Sequence, residues 1–252
     1  MLINFLNYYL FTSFRRQKIN QELENIKPFI KGKILDIGGG REREKFKFPQ
    51  KVKVIIADIN KKFNPDVICS VEKLPFENNS FDLVKATELF EHVKNPEKGI
   101  KECIRVLKKR GYFILSMPFL SQIHADPFDF QRWTELKIRD VLSENLIKIK
   151  KFKIQGYYFS ILADMIKRPA LCLPFGIRHL LYLMILPLTY ILLLLDKKVA
   201  QNSILLNKYH SGYLLFARRT DLVFIFWFNY FFDKTNYSVT RFTIKFIATV
   251  IN

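Results

Sequence analysis

Asp36, Gly38 and Gly40 stand at the end of an apolar run, Lys33-Ile34-Leu35-Asp36-Ile37-Gly38-Gly39-Gly40, that reads as a buried strand breaking into a glycine turn. Glycines at such a point let the backbone turn tightly and let a ligand lie against bare main chain. The Asp36 carboxylate is expected to point into the same crevice. A second apolar run, residues 52–57, ends in Asp58. It falls about twenty residues on, where a nucleotide site places an acid for ribose hydroxyls. A dinucleotide fingerprint would need glycine at position 43, which is Arg43. The spacing therefore keeps a nucleotide ligand and disfavours a nicotinamide cofactor.

Further along, Glu88 closes a fourth apolar run, at the carboxyl-end crevice where ligands of open α/β sheets bind. Removing a proton near neutral pH calls for an imidazole, and His92 and His124 are the histidines nearest that crevice. His124 lies two residues before Asp126, which can orient its ring. His92 sits on the predicted helix after Glu88, where a histidine can equally be a packed or capping residue. Asp129 and Arg132 either shape an acceptor pocket or lock the loop, and Trp133 either stacks on a sugar face or anchors the loop to the core. The cysteines, Cys69, Cys103 and Cys172, lie in apolar surroundings without metal-ligand spacing. They read as reduced, buried thiols of a cytoplasmic protein, and no metal site is expected.

The elements that must position these residues follow from periodicity. Strands are expected at 33–36, 52–57, 66–69, 81–86 and 112–116, apolar on both faces as strands covered by helices should be. Asn95-Pro96-Glu97 opens a helix by cap, first-position proline and dipole, with Ile100, Cys103, Ile104 and Leu107 as its buried stripe and Gly111 after its end. A helix capped by Thr134 covers 134–142, and the Ile/Lys alternation of 146–154 reads as a half-exposed strand. Residues 58–66 are too few for a crossover helix, so a bare loop and a short third strand are expected there.

In the same order along the chain come Glu72-Lys73-Leu74-Pro75-Phe76-Glu77-Asn78-Asn79-Ser80-Phe81-Asp82-Leu83-Val84, Glu88-Leu89-Phe90-Glu91-His92-Val93 and Arg105-Val106-Leu107-Lys108-Lys109-Arg110-Gly111-Tyr112. Together with the glycine turn these resemble the class I S-adenosylmethionine-dependent methyltransferases (type 11-like), and within them the group associated with small molecules and cell-surface glycans. The resemblance covers residues 30–118 strongly and continues weakly through 124–134. It implies an α/β, Rossmann-like, mostly parallel sheet with an antiparallel last strand near Tyr213-Leu214-Leu215-Phe216-Ala217-Arg218, and S-adenosylmethionine as cofactor. Asp36, Gly38 and Gly40 would hold its methionine and ribose portions and Asp58 the ribose hydroxyls. Ser70 and the Val71 backbone would meet the adenine edge, with Glu88 beside the sulfonium. The family's third glycine falls at Glu42, and its adenine-binding acid falls at Ser70. The implied organisation is an N-terminal helical appendage (1–29), a methyltransferase core (30–157), an apolar helical insertion (158–208), a closing strand (209–220) and an aromatic-rich extension (221–252).

Residues 180–195 are almost entirely apolar, with Pro187 mid-run. As a helix they span about 24 Å, short of a bilayer's roughly 30 Å core. A single crossing would put the closing strand on the wrong side of the membrane. A kinked hairpin or an in-plane helix is therefore expected, with Lys167, Arg168, Arg178, Lys197 and Lys198 reaching headgroups. The competing reading is a long core helix of a soluble cap; the aromatic run at 222–228 tilts the balance toward membrane. Residues 1–14 do not have the charge order of a secretory signal. They form either a helix capping the core or a membrane-surface helix. The formal net charge of +18 reads as the solvated face of a chain rich in lysine throughout, in preference to a nucleic-acid footprint, and no nucleic-acid module is present. An anionic lipid surface is the expected charged partner. The expected function is methyl transfer to a hydroxyl of a lipid-linked glycan, sugar precursor or apolar small molecule at the cytoplasmic membrane face. A non-catalytic scaffold is the alternative. A nucleic-acid methyltransferase is disfavoured by Thr87-Glu88-Leu89-Phe90 in place of an Asn/Asp-Pro-Pro-aromatic tetrad.

Overall fold

The computed structural model describes residues 12–39, 46–124 and 127–220. Gly40, Glu42, Arg43 and Asp126, residues 1–11 of the helix expected at 1–14, and the aromatic extension beyond 220 lie outside the described residues. Seven strands form one sheet in the order β3-β2-β1-β4-β5-β7-β6. They are β1 (Lys33–Ile37), β2 (Lys53–Asp58), β3 (Val67–Ile68), β4 (Phe81–Thr87), β5 (Leu107–Pro118), β6 (Ile147–Ile154) and β7 (Gly212–Arg219). Pairing is parallel from β3 to β5, and β7 runs antiparallel to both of its neighbours. This is the Rossmann-like methyltransferase sheet expected from the sequence, with β7 closing it.

Central strands β1 and β4 are almost wholly buried because helices cover both faces. Helix α1 (Phe14–Ile26) is capped by the Ser13 hydroxyl and packs Ile19, Leu23 and Ile26 into a cluster with Ile34, Leu83 and Ile114. On the other face, α2 (Pro96–Val106) and α3 (Glu135–Glu144) supply Ile100, Cys103, Ile138 and Leu142 to the larger core. The short connection after β2 is a single 3-10 turn, and β3 keeps two residues, as the chain length between Asp58 and Asp66 requires.

Three local expectations are corrected. Cys172, at the solvent-facing end of its 3-10 turn, is exposed and Cys69 is half-buried, so of the three thiols Cys103 alone is buried. Asn95 precedes α2 but makes no side-chain cap; its backbone N–H donates instead to Glu72 Oε1 at 3.1 Å. Gly111 does not follow the helix, because α2 passes directly into β5 and the glycine lies inside that strand. A Cβ there would come within 2.9 Å of the Lys108 carbonyl and 3.0 Å of the Asp82 carbonyl, so a close backbone bend is what requires it.

The apolar insertion departs further. Helix α4 (Tyr158–Lys167) leads through a 3-10 turn (Arg168–Cys172) into α5 (Phe175–Lys198), which runs through Pro187 without interruption. The corner of the hairpin is therefore the Pro169–Pro174 region, where two prolines end helical backbone, and not Pro187. At 24 residues, α5 is about 36 Å long, longer than the run of 180–195 suggested. Its far end returns to the body. The buried Asp196 carboxylate accepts from the N–H groups of Tyr157 (3.1 Å) and Ser160 (2.9 Å), capping the start of α4 and fastening the two helices antiparallel. Lys167 is only 5 % exposed and donates to the Thr12 carbonyl at 2.7 Å, so it joins the hairpin to the segment before α1 and does not reach outward.

Candidate active site

The carboxyl ends of β1, β2, β4 and β5 meet at one end of the sheet, and the polar groups gather there. Gly38 closes β1 with φ +73 and donates its N–H to the Ala57 carbonyl at 2.9 Å. This positive φ is open to glycine at little cost, and a Cβ would also meet Leu89 at 2.8 Å. At Gly39 a Cβ would fall 2.6 Å from Asp36 Oδ2, so the carboxylate fills the space under the turn. Asp36 lies opposite Lys85 in the β1–β4 register and pairs with its fully buried ammonium at 2.9 Å. That pairing neutralises two charges beneath the crevice. Asp58 closes β2; its Oδ1 accepts from the Asn60 N–H at 2.8 Å. Ile59 beside it is 74 % exposed and offers an apolar face at the mouth. Ser70 accepts from the Glu72 N–H, and Val71 is buried beside it.

Glu88 sits where β4 leaves the sheet, at φ +54, a strained conformation for a side-chain-bearing residue that the local structure must enforce. Its N–H donates to the Ser116 carbonyl, the Ser116 hydroxyl donates to its Oε1 at 2.8 Å, and Arg15 of α1 grips its other oxygen. Burial pushes the Glu88 carboxyl upward in pKa, but the Arg15 and Arg16 cations and the serine hydrogen bond outweigh it and hold the group below its ordinary range.

The turn after Glu88 is one turn of 3-10 helix (Phe90–His92), not the longer helix expected for His92. The loop after β5 is strapped onto it by three contacts: Phe130 N–H to the Glu91 carbonyl (2.8 Å), Gln131 Nε2 to the Val93 carbonyl (2.7 Å), and His92 Nδ1 with the Phe128 carbonyl (2.6 Å). Those straps bring His124 against His92, ring centroids 4.9 Å apart and edge-on. Asp129, held by a forked pair with Arg132, accepts the His124 N–H at 2.9 Å and lies 3.4 Å from its Nδ1. The Arg132 hydrogen bonds hold the Asp129 carboxyl down at about 2, while burial lowers the His124 pKa and keeps that ring neutral. Asp129 and Arg132 therefore lock the loop. Trp133 is buried in the core with Nε1 donating to Gln131, which makes it the loop's anchor.

Sequence reasoning missed Lys85, Arg15 and Glu91. A lone lysine in the buried run Val84-Lys85-Ala86 was a legible signal, since a buried ammonium must find an anion. Nothing local marked Arg15, whose partner lies 73 positions away in the chain.

Residues 35–115 match the family model described as a methyltransferase domain. A stretch of 105 residues is 34% identical to an uncharacterized protein of Methanocaldococcus jannaschii, covering 38% of this chain and 50% of that one. The match thus spans half the length of this curated relative. Among solved structures, a Bacillus halodurans protein described as a methyltransferase superposes with TM-score 0.52 at 16% identity, covering 80% of this chain and 99% of that one. A Galdieria sulphuraria protein described as a sarcosine dimethylglycine methyltransferase gives 0.52 at 15% identity, covering 81% and 85%. Phosphoethanolamine N-methyltransferase 2 of Haemonchus contortus, in complex with S-adenosyl-L-methionine, gives 0.50 at 15% identity, covering 80% and 53%. Identities this low show the fold; the class comes from the domain match together with the glycine turn and Asp58. Residues 35–115 carry a methyltransferase domain of the S-adenosylmethionine-dependent kind. Its crevice fits that cofactor: a glycine at positive φ, a turn with no room for side chains, an acid at the next strand end and an exposed apolar residue beside it.

Proposed function

We propose that the chain transfers the methyl group of S-adenosylmethionine to a hydroxyl of an amphiphilic acceptor taken from the cytoplasmic face of a membrane, such as a lipid-linked glycan or an apolar small molecule. The observation that carries this reading is a cavity of about 800 Å³ lined by Ser13 and Arg15, by Phe119–Gln122 after β5, and by Ile161, Met165 and Cys172 of the apolar hairpin. One lining residue, Arg15, is the residue that grips Glu88 at the end of β4. The lining includes Met165 of α4 and Cys172 of the hairpin corner, and Met165, Leu171 and Leu173 are exposed.

The bound cofactor supplies a methyl group on a good leaving group, so the protein's work is positioning, water exclusion and removal of the acceptor's proton. Asp58 and the Gly38 turn hold the nucleoside, and the Asp36–Lys85 pair supports that turn from below. The His124 imidazole, kept neutral by burial and steadied by Asp129, is suited to take the hydroxyl proton as the oxygen attacks.

Membrane attachment rests on α5. Leu180, Leu183, Met184, Leu188 and Ile191 are exposed along it, and only 22% of its most apolar stretch is buried. Exposed Lys197 and Lys198 sit at one end and Arg178 near the other, positions from which cations meet anionic headgroups. Because α4 leaves the sheet edge and α5 returns to it, the hairpin enters one leaflet and leaves by the same side.

Methyl-labelled S-adenosylmethionine, incubated with the purified chain and cell membranes, tests the acceptor class. Label should appear in the organic-extractable fraction. Label confined to water-soluble small molecules, protein or nucleic acid would overturn the amphiphile assignment.

A further inference from the structure

Three side chains where the loop after β5 meets the turn after β4 are left in an arrangement that methyl-group positioning does not explain. Glu91 has a fully buried carboxylate, and neither of its oxygens receives a hydrogen bond. His92 Nε2 lies 3.7 Å from Glu91 Oε1, and the donor atoms of Glu91, His92 and His124 all fall within 4.8 Å of one another. Each histidine has its other ring nitrogen occupied. Nδ1 of His92 meets the Phe128 carbonyl at 2.6 Å, and Nδ1 of His124 meets the Gln122 carbonyl at 3.2 Å and Asp129 at 3.4 Å. Those acceptors assign the proton to Nδ1 in both rings and leave each Nε2 as a bare lone pair. A ring nitrogen donating to a backbone carbonyl or carboxylate while its partner nitrogen stays free is the arrangement that orients metal-ligating histidines.

We propose that Glu91, His92 and His124 form a binding site for a divalent first-row transition ion, linked to the cavity lining through His124, which is close in the chain and hydrogen-bonded to Gln122. Two imidazoles and one carboxylate suit manganese, iron, cobalt, nickel or zinc. Magnesium and calcium prefer all-oxygen shells, and this set offers two nitrogens. The ion also answers the cost of the buried Glu91. Its carboxylate is buried with no hydrogen bond to either oxygen, and a bound divalent ion would compensate it directly. Donor atoms around an ion of this size stand roughly 3–3.5 Å apart at its usual bond lengths, so the rings and carboxylate close by about an ångström on binding.

The site gives the proposed reaction a further component. Three protein ligands leave coordination positions open, and Gln122, whose carbonyl steadies His124, also lines the cavity. An acceptor hydroxyl entering from the cavity would bind the ion and lose its proton to solvent more readily. Its oxygen would then form the new bond to the methyl carbon as the carbon–sulfur bond breaks, the sulfonium leaving as a neutral thioether. In the metal-loaded protein the histidines thus act as ligands, and the ion takes over the acidifying role assigned above to His124. This step rests on the methyl-transfer reading; the binding site does not.

Tag-free chain, stripped with chelator and dialysed against Co²⁺, tests the site without cofactor or acceptor. The expected result is a single bound Co²⁺ with ligand-field absorption in the visible, and a thermal midpoint raised by the ion. Zn²⁺ should displace it. Glu91→Gln, His92→Gln and His124→Gln should each abolish the band and weaken binding by at least about tenfold, whereas His210→Gln should leave both intact. Should a ligand variant misfold, the intact chain still decides the matter. No band and no thermal shift with Co²⁺, Zn²⁺ or Mn²⁺, or binding that all three variants retain, overturns the proposal. Binding of S-adenosylhomocysteine, measured on the same samples, reports separately on the methyltransferase reading.

Discussion

Arg15 and Glu88 form the ion pair on which the donor end of the sheet depends, with side chains 9% and 7% exposed. Removing one partner of a buried pair leaves the other charge unmatched, which costs about 3–5 kcal/mol. Arg15→Met should therefore lower stability to chemical denaturation by that order, and adding Glu88→Gln should recover part of the loss. A double variant no more stable than Arg15→Met alone would show that Glu88 is not strained by losing its cation. Asp58 makes a simpler case. Replacing it with Ala should weaken S-adenosylhomocysteine binding by about 1.5–3 kcal/mol, the worth of hydrogen bonds to a charged group. Calorimetry showing unchanged affinity would remove Asp58 from the ribose site.

The α4–α5 hairpin is the element that sets this chain apart from a bare methyltransferase sheet. Lysines in place of exposed Met184 and Leu188 put charges on the face assigned to lipid while touching nothing in the core. Met184→Lys combined with Leu188→Lys should move the protein into the soluble fraction with its thermal midpoint unchanged; continued sedimentation with membranes would assign that face elsewhere. The hairpin's root has its own pH signature. Burial lowers the Lys167 pKa to about 8, with Asp164 favouring and Arg168 opposing its charge. Below about pH 8 the lysine is protonated folded and unfolded, so its burial cost is fully present. Between 8 and the unfolded value of about 10.4 the unfolded chain holds more protons, so stability rises with pH in that window. Relative to Lys167→Met, the wild type should gain on the order of 1–3 kcal/mol across it. A flat difference would mean the ammonium is solvated.

At the scale of the whole molecule, the +18 formal charge and the apolar hairpin should act together at a membrane surface. Each cation near an anionic leaflet contributes about 1 kcal/mol, and salt screens that attraction while leaving apolar burial in place. Vesicles containing anionic lipid should therefore bind the chain more tightly than zwitterionic ones. High salt should reduce the difference without releasing the protein, and detergent should release it. Full release by salt alone would make the attachment purely electrostatic and leave α5 without lipid contact.

Local patterns determined a good deal of this. Strand identities, the short β3 and the Thr134 cap of α3 follow from apolar runs, capping chemistry and chain length, which act over a few residues and so are legible in order. The closing β7 was implied instead by the family resemblance. Asp58 was legible for the same reason, as a polar residue ending an apolar strand at a set distance from a glycine turn. Tertiary structure decided what depends on distant partners. Lys85 meets Asp36 only because β1 and β4 pair in that register. Arg15 meets Glu88 only because α1 folds back over the sheet. His92 reaches His124 only because backbone bonds from Phe128, Phe130 and Gln131 strap one loop onto another. The sequence also marked Pro187 as a break, yet Asp196 at one end of α5 and packing along α4 keep a single helix through it. Local propensity is worth a few kcal/mol at most, and contacts made across the fold can outweigh it.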